Sequence, residues 1–301
     1  MHTSRRIIRK PAPSPVRKKF IIEARHFRLA LGRRTRIMGI LNLTPDSFSG
    51  DGTFLKYGND PRKNVSLAVR LLREGADIID VGGESTRPGA HPVSASEEIN
   101  RVIPTIRLLA KKTKIPISID TYKETVAQYA LDNGASIVNN ILGTNVAADF
   151  LKMVKRYHAA LVLMHIRGTP QTMQKNIRYK NPTGEIIREL RNSIEKCLEV
   201  GINSDKIIID PGIGFAKTVR HNLEIIRRLE DFKTLDKPLL IGVSRKSFIG
   251  KILKKEAGER LWGTAAAVSA SILGGAHIVR VHDVKAMREV SAMSDAILNM
   301  S

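Results

Sequence analysis

Short runs of β-branched and apolar residues alternate along the chain with longer stretches in which apolar positions recur every three or four residues. The runs are Ile37 to Asn42, Asp77 to Gly82, Ile115 to Asp120, Ser136 to Asn140, Ala160 to His165, Lys206 to Asp210, Pro238 to Val243 and Ala276 to Val281. Runs so rich in Ile, Val and Leu read as strands buried on both faces, the habit of parallel sheets. The stretches between them read as helices. Asn64 to Glu74 carries Val65, Leu67, Ala68, Val69, Leu71 and Leu72 as a broad apolar face, and Gly75 ends it. Gly134, Gly201 and Gly274 are stops of the same kind. Eight strand-helix units in about 265 residues predict an α/β fold, the closed (β/α)8 or TIM barrel. A doubly wound open sheet would use fewer strands and a Gly-x-Gly-x-x-Gly turn after the first, and none follows Asn42. Ahead of the barrel, Phe20 to Arg36 predicts a β-hairpin over the barrel floor, with Phe27, Leu29 and Leu31 alternating and Gly32 at the turn.

Composition narrows the class. With 42% apolar and 26% charged residues in 301, the chain is neither disordered nor a small disulfide scaffold. The single cysteine, Cys197, closes no intrachain disulfide and reads as an ordinary helix residue. No stretch reaches the roughly 18 to 20 apolar residues of a membrane span, and the start lacks the apolar core of a secretory signal, so no membrane partner and a cytoplasmic location are expected. The 50 basic and 29 acidic residues give a formal charge of +21. Residues 1–36 hold 12 of the basic residues and one acid, Glu23. Residues 1–19, with seven basic residues, no acid and three prolines, predict a basic disordered tail, and residues 20–301 a single barrel domain including the hairpin. Such a tail can graze RNA or acidic surfaces. With 5% aromatics and no accompanying motif, nucleic acid is not the expected partner. The Arg-rich, acid-poor start also has the composition of an organelle transit peptide.

In a closed barrel, chemistry is confined to the C-terminal ends of the strands. Those ends carry Asn42, then Gly82-Gly83-Glu84, Asp120, Asn139 and Asn140, His165, Asp210, Ser244-Arg245-Lys246, and Arg280 with His282. Any one of these could be a helix cap or a satisfied buried group. Eight converging on one rim need mutual or ligand hydrogen bonds. Asp120, Asn139 and Asp210, with Lys246 as donor, have the donor and acceptor types to meet a planar amino-substituted heterocycle. Arg280 and His282 on the last strand and Asn42 on the first become neighbours when the barrel closes, where a guanidinium beside an imidazole suits a polyanion. One amide without a carboxylate cluster implies that any Mg²⁺ would be held mainly by substrate phosphates and water.

At these residues the chain resembles the dihydropteroate synthases, pterin-binding barrel enzymes of folate synthesis, over residues 20–301. The motifs that carry the resemblance are NLTPDSFS from Asn42, GGESTRPG from Gly82, SIDT from Ser118, LMHIRGTPQTMQ from Leu163, DPGIGF from Asp210, GVSRKSFIG from Gly242 and RVHDV from Arg280. The resemblance implies a transferase that condenses 6-hydroxymethyl-7,8-dihydropterin pyrophosphate with p-aminobenzoate, releasing pyrophosphate by an SN1-like route, with Mg²⁺ as cofactor. It places pterin contacts on Asp120, Asn139, Asp210 and Lys246, with Met164 and Phe215 against the ring. Asn42, Arg87, Arg280 and His282 fall on the pyrophosphate, with Asn42 as the protein ligand of the metal. Phe48, Thr86, Pro88 and Ser247, with Phe215 and Lys246, fall on p-aminobenzoate, for which sulfonamides compete in this family.

Asp120, Asp210, Lys246, Arg87 and Asp51 would carry the catalysis. The loops Thr44 to Gly52 and Glu84 to Pro92 would close over the site and exclude water. One departure stands out: where the family reads Ser-Phe-Ser-Asp-Gly-Gly, this chain reads Ser47-Phe48-Ser49-Gly50-Asp51-Gly52, which leaves open whether Asp46 or Asp51 is the loop acid. A pterin-dependent methyltransferase and a catalytically silent pterin-binding paralogue are the alternatives. The resemblance also implies a homodimer through the last helices, near the small-residue run Gly263 to Gly275.

Overall fold

Hairpin and barrel both form in a computed structural model that describes residues 17–44, 60–87 and 89–300. The hairpin is β1 (Phe20–Ala24) and β2 (Phe27–Leu31), paired antiparallel. The barrel then alternates β3 (Arg36–Asn42), α1 (Pro61–Arg73), β4 (Ile78–Gly82), α2 (Ala95–Lys112), β5 (Ile117–Asp120), α3 (Glu124–Asp132), β6 (Ile137–Asn140), α4 (Ala148–Arg156) and β7 (Ala160–Met164). It continues through α5 (Pro182–Val200), β8 (Ile207–Asp210), α6 (Val219–Arg227), β9 (Leu240–Ile241), α7 (Ser247–Leu253), α8 (Leu261–Leu273), β10 (Ile278–Val281) and α9 (Val284–Leu298). Strands β3 to β8 pair parallel in sequence order, β3 pairs β10, and β10 pairs β9. A bridge between Ile209 and Leu239 joins β8 to the start of β9 and closes the ring.

The sequence sets these elements locally. Asp60 caps α1 by accepting from the Arg62 N–H, Pro61 occupies the first turn, where its missing N–H costs nothing, and Val65, Ala68 and Leu71 face the core beside Ile79 and Val81. Ser94 caps α2 through the Glu97 N–H at 3.1 Å. Cys197 is buried on α5, and burial pushes its thiol up to about 12. Among the described residues no helix is long and apolar enough to cross a membrane.

Two expectations need correction. The hairpin turns at Arg25-His26 and not at Gly32. Arg25 sits in the left-handed region (φ 58°), held there because its guanidinium donates to the Leu131 and Ala135 carbonyls at 2.6 and 2.9 Å. Gly32 (φ +101°) serves a different purpose, since a Cβ there would fall 2.5 Å from the Lys18 carbonyl oxygen. The seventh barrel strand is also shorter than the run Pro238 to Val243. It keeps only Leu240–Ile241, because the chain turns at Val243 to Lys246, with Arg245 at φ 55°.

The hairpin seals the N-terminal ends of the barrel strands. Ile22, Ala24, Leu29 and Leu31 form one cluster with Met38, Ile78, Ile137, Ala160, Ile208 and Ile278. Each fully buried Ile or Leu there contributes about 1.5–3 kcal/mol. Just before β1, Arg17 is buried and clasps the two ends of the domain. Its guanidinium pairs with Asp295 on α9 and donates to Thr35 Oγ1 at 2.8 Å, while Asp295 accepts from the Thr35 N–H at 2.6 Å.

Candidate active site

At the opposite end, the strands open on a cavity of about 460 Å³. Asn42 ends β3, Asp120 ends β5, Asn139 lies in β6, Met164 ends β7, Asp210 ends β8 and Arg280 lies in β10. All line the cavity, joined by His282, Lys246, Phe215, Thr86 and Arg87 from the loops and by Ser247 at the start of α7. Phe48, Asp51 and Pro88, with Asp46 and most of the first loop, lie outside the described residues.

Arg280 organises the centre. Its Nε donates to Asp80 Oδ2 and its guanidinium nitrogen to Asp120 Oδ2, both at 2.6 Å. Asn139 Nδ2 donates to the same Asp80 oxygen at 3.1 Å. Burial pushes the Asp120 carboxyl up, opposed by Arg280, and burial likewise moves Asp210 up to about 6 against the Gly212 N–H and Lys246. Among the described residues Asp120 Oδ1 is buried without a hydrogen-bond partner. That oxygen is an acceptor waiting for a donor.

Lys246 enters from the loop before α7. Arg245 holds that loop with a bidentate pair to Asp283 at 3.0 and 2.6 Å, while its carbonyl accepts from Arg260 at 3.0 Å. The Lys246 ammonium then stands 4.0 Å from the centre of the Phe215 ring. Burial, reinforced by Arg280, moves it down to about 8. Phe215 and Met164 belong to a separate apolar patch at the cavity with Ile141, Ile166 and Met173.

His282 is held neutral, burial, Arg245 and Arg280 moving it down to about 3. Ser244 Oγ accepts from the His282 backbone N–H at 3.2 Å and lies 3.0 Å from Nδ1. The neutral imidazole keeps one ring N–H beside the Arg280 cation.

The arrangement overturns the expected Mg²⁺ cofactor with Asn42 as its ligand. Among the described residues no group of three or more His, Cys, Asp or Glu side chains comes together to hold a metal ion. The nearby carboxylates Asp80 and Asp120 face Arg280, and His282 spends Nδ1 on Ser244.

Three strand-end residues are structural. Asn140 Oδ1 accepts from the Leu142 N–H at 2.8 Å and shapes a turn. His165 is fully buried between Glu189 Oε2, 2.9 Å from Nε2, and Lys217 Nζ, 3.0 Å from Nδ1. Glu84 anchors the second loop, accepting from the Tyr122 hydroxyl at 2.7 Å and from Lys123 at 2.5 Å. Sequence reasoning passed over Asp80, although a carboxylate inside the apolar run Ile78-Ile79-Asp80-Val81 is itself a signal of a buried partner. Lys217 was missed as well, and nothing local marks it.

Comparison with known proteins agrees with this geometry. The family model "Pterin binding enzyme" matches residues 38–282. The chain is 47% identical to the dihydropteroate synthase of Synechocystis sp. over 267 residues, 88% of this chain and 91% of that protein. It is 42% identical to that of Bacillus subtilis over 279 residues, 93% and 94%. The crystal structure of Yersinia pestis dihydropteroate synthase with a sulfonamide drug complex superposes with a TM-score of 0.88 at 36% identity, covering 93% of this chain and all of that one. The Thermus thermophilus enzyme in complex with 4-aminobenzoate superposes at 0.81 and 33% identity, covering 92% and 99%.

Proposed function

This chain belongs to the dihydropteroate synthase family of pterin-binding enzymes, and from that premise we propose how its own residues divide the reaction. It is a transferase that joins 6-hydroxymethyl-7,8-dihydropterin pyrophosphate to p-aminobenzoate, giving dihydropteroate and pyrophosphate. The observation that carries the division of roles is the convergence of Asp120, Asn139, Asp210 and Lys246 on one cavity beside Arg280. Asp120, Asn139 and Asp210 meet the polar edge of the pterin, Lys246 donates to it, and Met164 and Phe215 pack on the ring. The unpaired Asp120 Oδ1 is the acceptor that a ring N–H or amino group would fill.

The C–O bond at the pterin methylene breaks first, its electron pair leaving with pyrophosphate. Arg280, His282, Asn42 and Arg87 receive that charge, while the Asp120 and Asp210 carboxylates stabilise the delocalised pterin cation. Thr86 and Ser247, with Phe215, Lys246, Phe48 and Pro88, hold p-aminobenzoate, and a sulfonamide would compete there. The neutral arylamine forms the C–N bond and then sheds its proton, so no strong base is needed. Glu84, Thr86 and Arg87 of the second loop line the cavity and shield the cation from water, and Asp46 or Asp51 supplies the acid of the first.

The working assembly is a homodimer. Ile252 and Leu253 on α7, Trp262 and Leu273 on α8, and Met293 and Ile297 on α9 leave an exposed apolar face, Trp262 being 77% exposed. We assign the chain to the cytoplasm, with residues 1–19 as a tail whose last arginine, Arg17, docks on the barrel domain 20–301. The test is product formation from the two substrates beside Asp120→Ala. Dihydropteroate formed by the native chain and lost in the variant supports the roles; equal turnover in both would overturn the pterin site.

A further inference from the structure

A lysine with almost no exposure lies behind the cavity wall. Lys217, 4% exposed, is absent from the cavity lining. Its ammonium donates to the Phe215 carbonyl at 2.9 Å, to His165 Nδ1 at 3.0 Å and to the His165 carbonyl at 3.5 Å. All three direct acceptors are neutral, and the carboxylates of Asp210 and Glu189 act on the buried ammonium only from a distance, so its burial remains costly.

The acceptors flank a proposed pterin residue. The His165 N–H donates to the Asp210 carbonyl at 2.9 Å, tying the end of β7 to the end of β8. Two residues on, Gly212 (φ +68°) has no Cβ, and one there would fall 1.9 Å from the His165 carbonyl oxygen and 3.4 Å from Lys217 Nζ. The loop Asp210 to Lys217 is thus wrapped tightly around His165. Because Lys217 donates to Nδ1, the His165 ring proton sits on Nε2 and goes to Glu189 on α5. Arg167 braces that carboxylate with Nε at 3.2 Å from Oε1. Burial moves Lys217 down to about 7, with Asp210 and Glu189 holding its charge and Arg167 and Lys246 opposing it.

We propose that Lys217 is a positioning residue for the pterin half of the reaction, holding Phe215 and Asp210 in register from behind and fixing the tautomer of His165. This rests on the reading of the barrel mouth as the pterin site. The ring of Phe215 faces Lys246 in the cavity and its carbonyl is held by Lys217, so one loop residue joins the two lysines. Of the two residues it holds, Asp210 meets only the pterin whereas Phe215 meets both substrates, so loss of Lys217 is felt more strongly at the pterin than at p-aminobenzoate.

The experiment measures the Kd for 6-hydroxymethyl-7,8-dihydropterin pyrophosphate, the KM for p-aminobenzoate and the ¹⁵N resonances of His165 in Lys217→Met, Lys217→Arg and Glu189→Gln. Lys217→Met is expected to weaken pterin binding about tenfold, leave the p-aminobenzoate KM within about twofold and shift the His165 Nδ1 resonance, whose donor is lost; Lys217→Arg restores both binding and signature. Glu189→Gln, at the outer and partly exposed end of the chain of bonds, is expected to weaken pterin binding two- to threefold, and serves if methionine at 217 prevents folding. Unchanged pterin binding in folded Lys217→Met, or in Glu189→Gln, would overturn the proposal, as would equal losses for both substrates. Asp120→Ala in parallel tests the site itself: pterin binding retained there would sink the underlying reading, whatever position 217 does.

Discussion

At the N-terminal ends of the barrel strands, Met38, Ile78, Ala160, Ile208 and Ile278 meet Ile22 and Leu31 of the hairpin in an apolar layer, whereas at the C-terminal ends of the same strands Asn42, Asp120, Asp210 and Arg280 meet around a cavity. A few residues along one strand change the rule from shape to charge. The floor is held by apolar burial, which tolerates no polar atom without a partner. The mouth carries charges whose burial works against folding, Asp120 and Asp210 being moved up and Lys246 down. Stability is concentrated at one end and chemistry at the other.

The largest departure from that division is expected at Arg280, which serves both ends of the argument. Arg280→Met should lower kcat/KM by roughly 10²–10³-fold and also cost about 3–5 kcal/mol of stability, because it strands the fully buried Asp80. Steady-state kinetics with denaturant unfolding read the two losses; a kinetic loss without a stability loss would break the pairing of Arg280 with Asp80. On the floor, Leu31→Ala should cost about 3 kcal/mol in unfolding and leave kcat unchanged below the new melting temperature. A fallen kcat at full folding would show that the two ends are coupled.

A smaller effect is expected from pH. Burial raises Asp210 from 3.8 to about 6, so folding favours its proton. Its contribution to stability is full below the unfolded value near 4 and declines as pH rises toward 6. Pterin binding, which needs the ionised acceptor, runs the other way, strengthening through about pH 6 and weakening as Lys246 loses its proton through about 8. A flat binding profile from pH 5 to 9 would remove both groups from the contact. A change on the outer face of α8 should do least to the fold and the site: Trp262→Ser should dissociate the proposed dimer, seen by sedimentation, with kcat altered less than about twofold.

The barrel and most of the cavity lining are legible in the sequence because both depend on strand ends, which a run of Ile and Val announces and the next polar residue marks. What escapes is pairing across the closed ring. Asp80 and Arg280 stand 200 residues apart and meet only when β10 closes on β3, while His165 and Lys217 stand 52 apart and meet through the pairing of β7 with β8. The hairpin turn escapes for a local reason. Glycine is the usual residue at a left-handed turn, yet Arg25 takes that conformation because two carbonyls beneath the barrel hold its side chain. The Mg²⁺ expectation, built on Asn42 with substrate phosphates and water, failed because the described residues gather no group of three or more His, Cys, Asp or Glu side chains to hold the ion.

The Arg17 clasp has a meaning for synthesis on the ribosome. Arg17 is bound to Asp295, 278 residues later, and β3 finds its second neighbour only in β10. The first barrel strand translated, β3, therefore leaves the exit tunnel with one flank uncovered and keeps it so until nearly the whole chain has been made. A half-made barrel is an open sheet, and the last helix is the latch that ends vectorial folding.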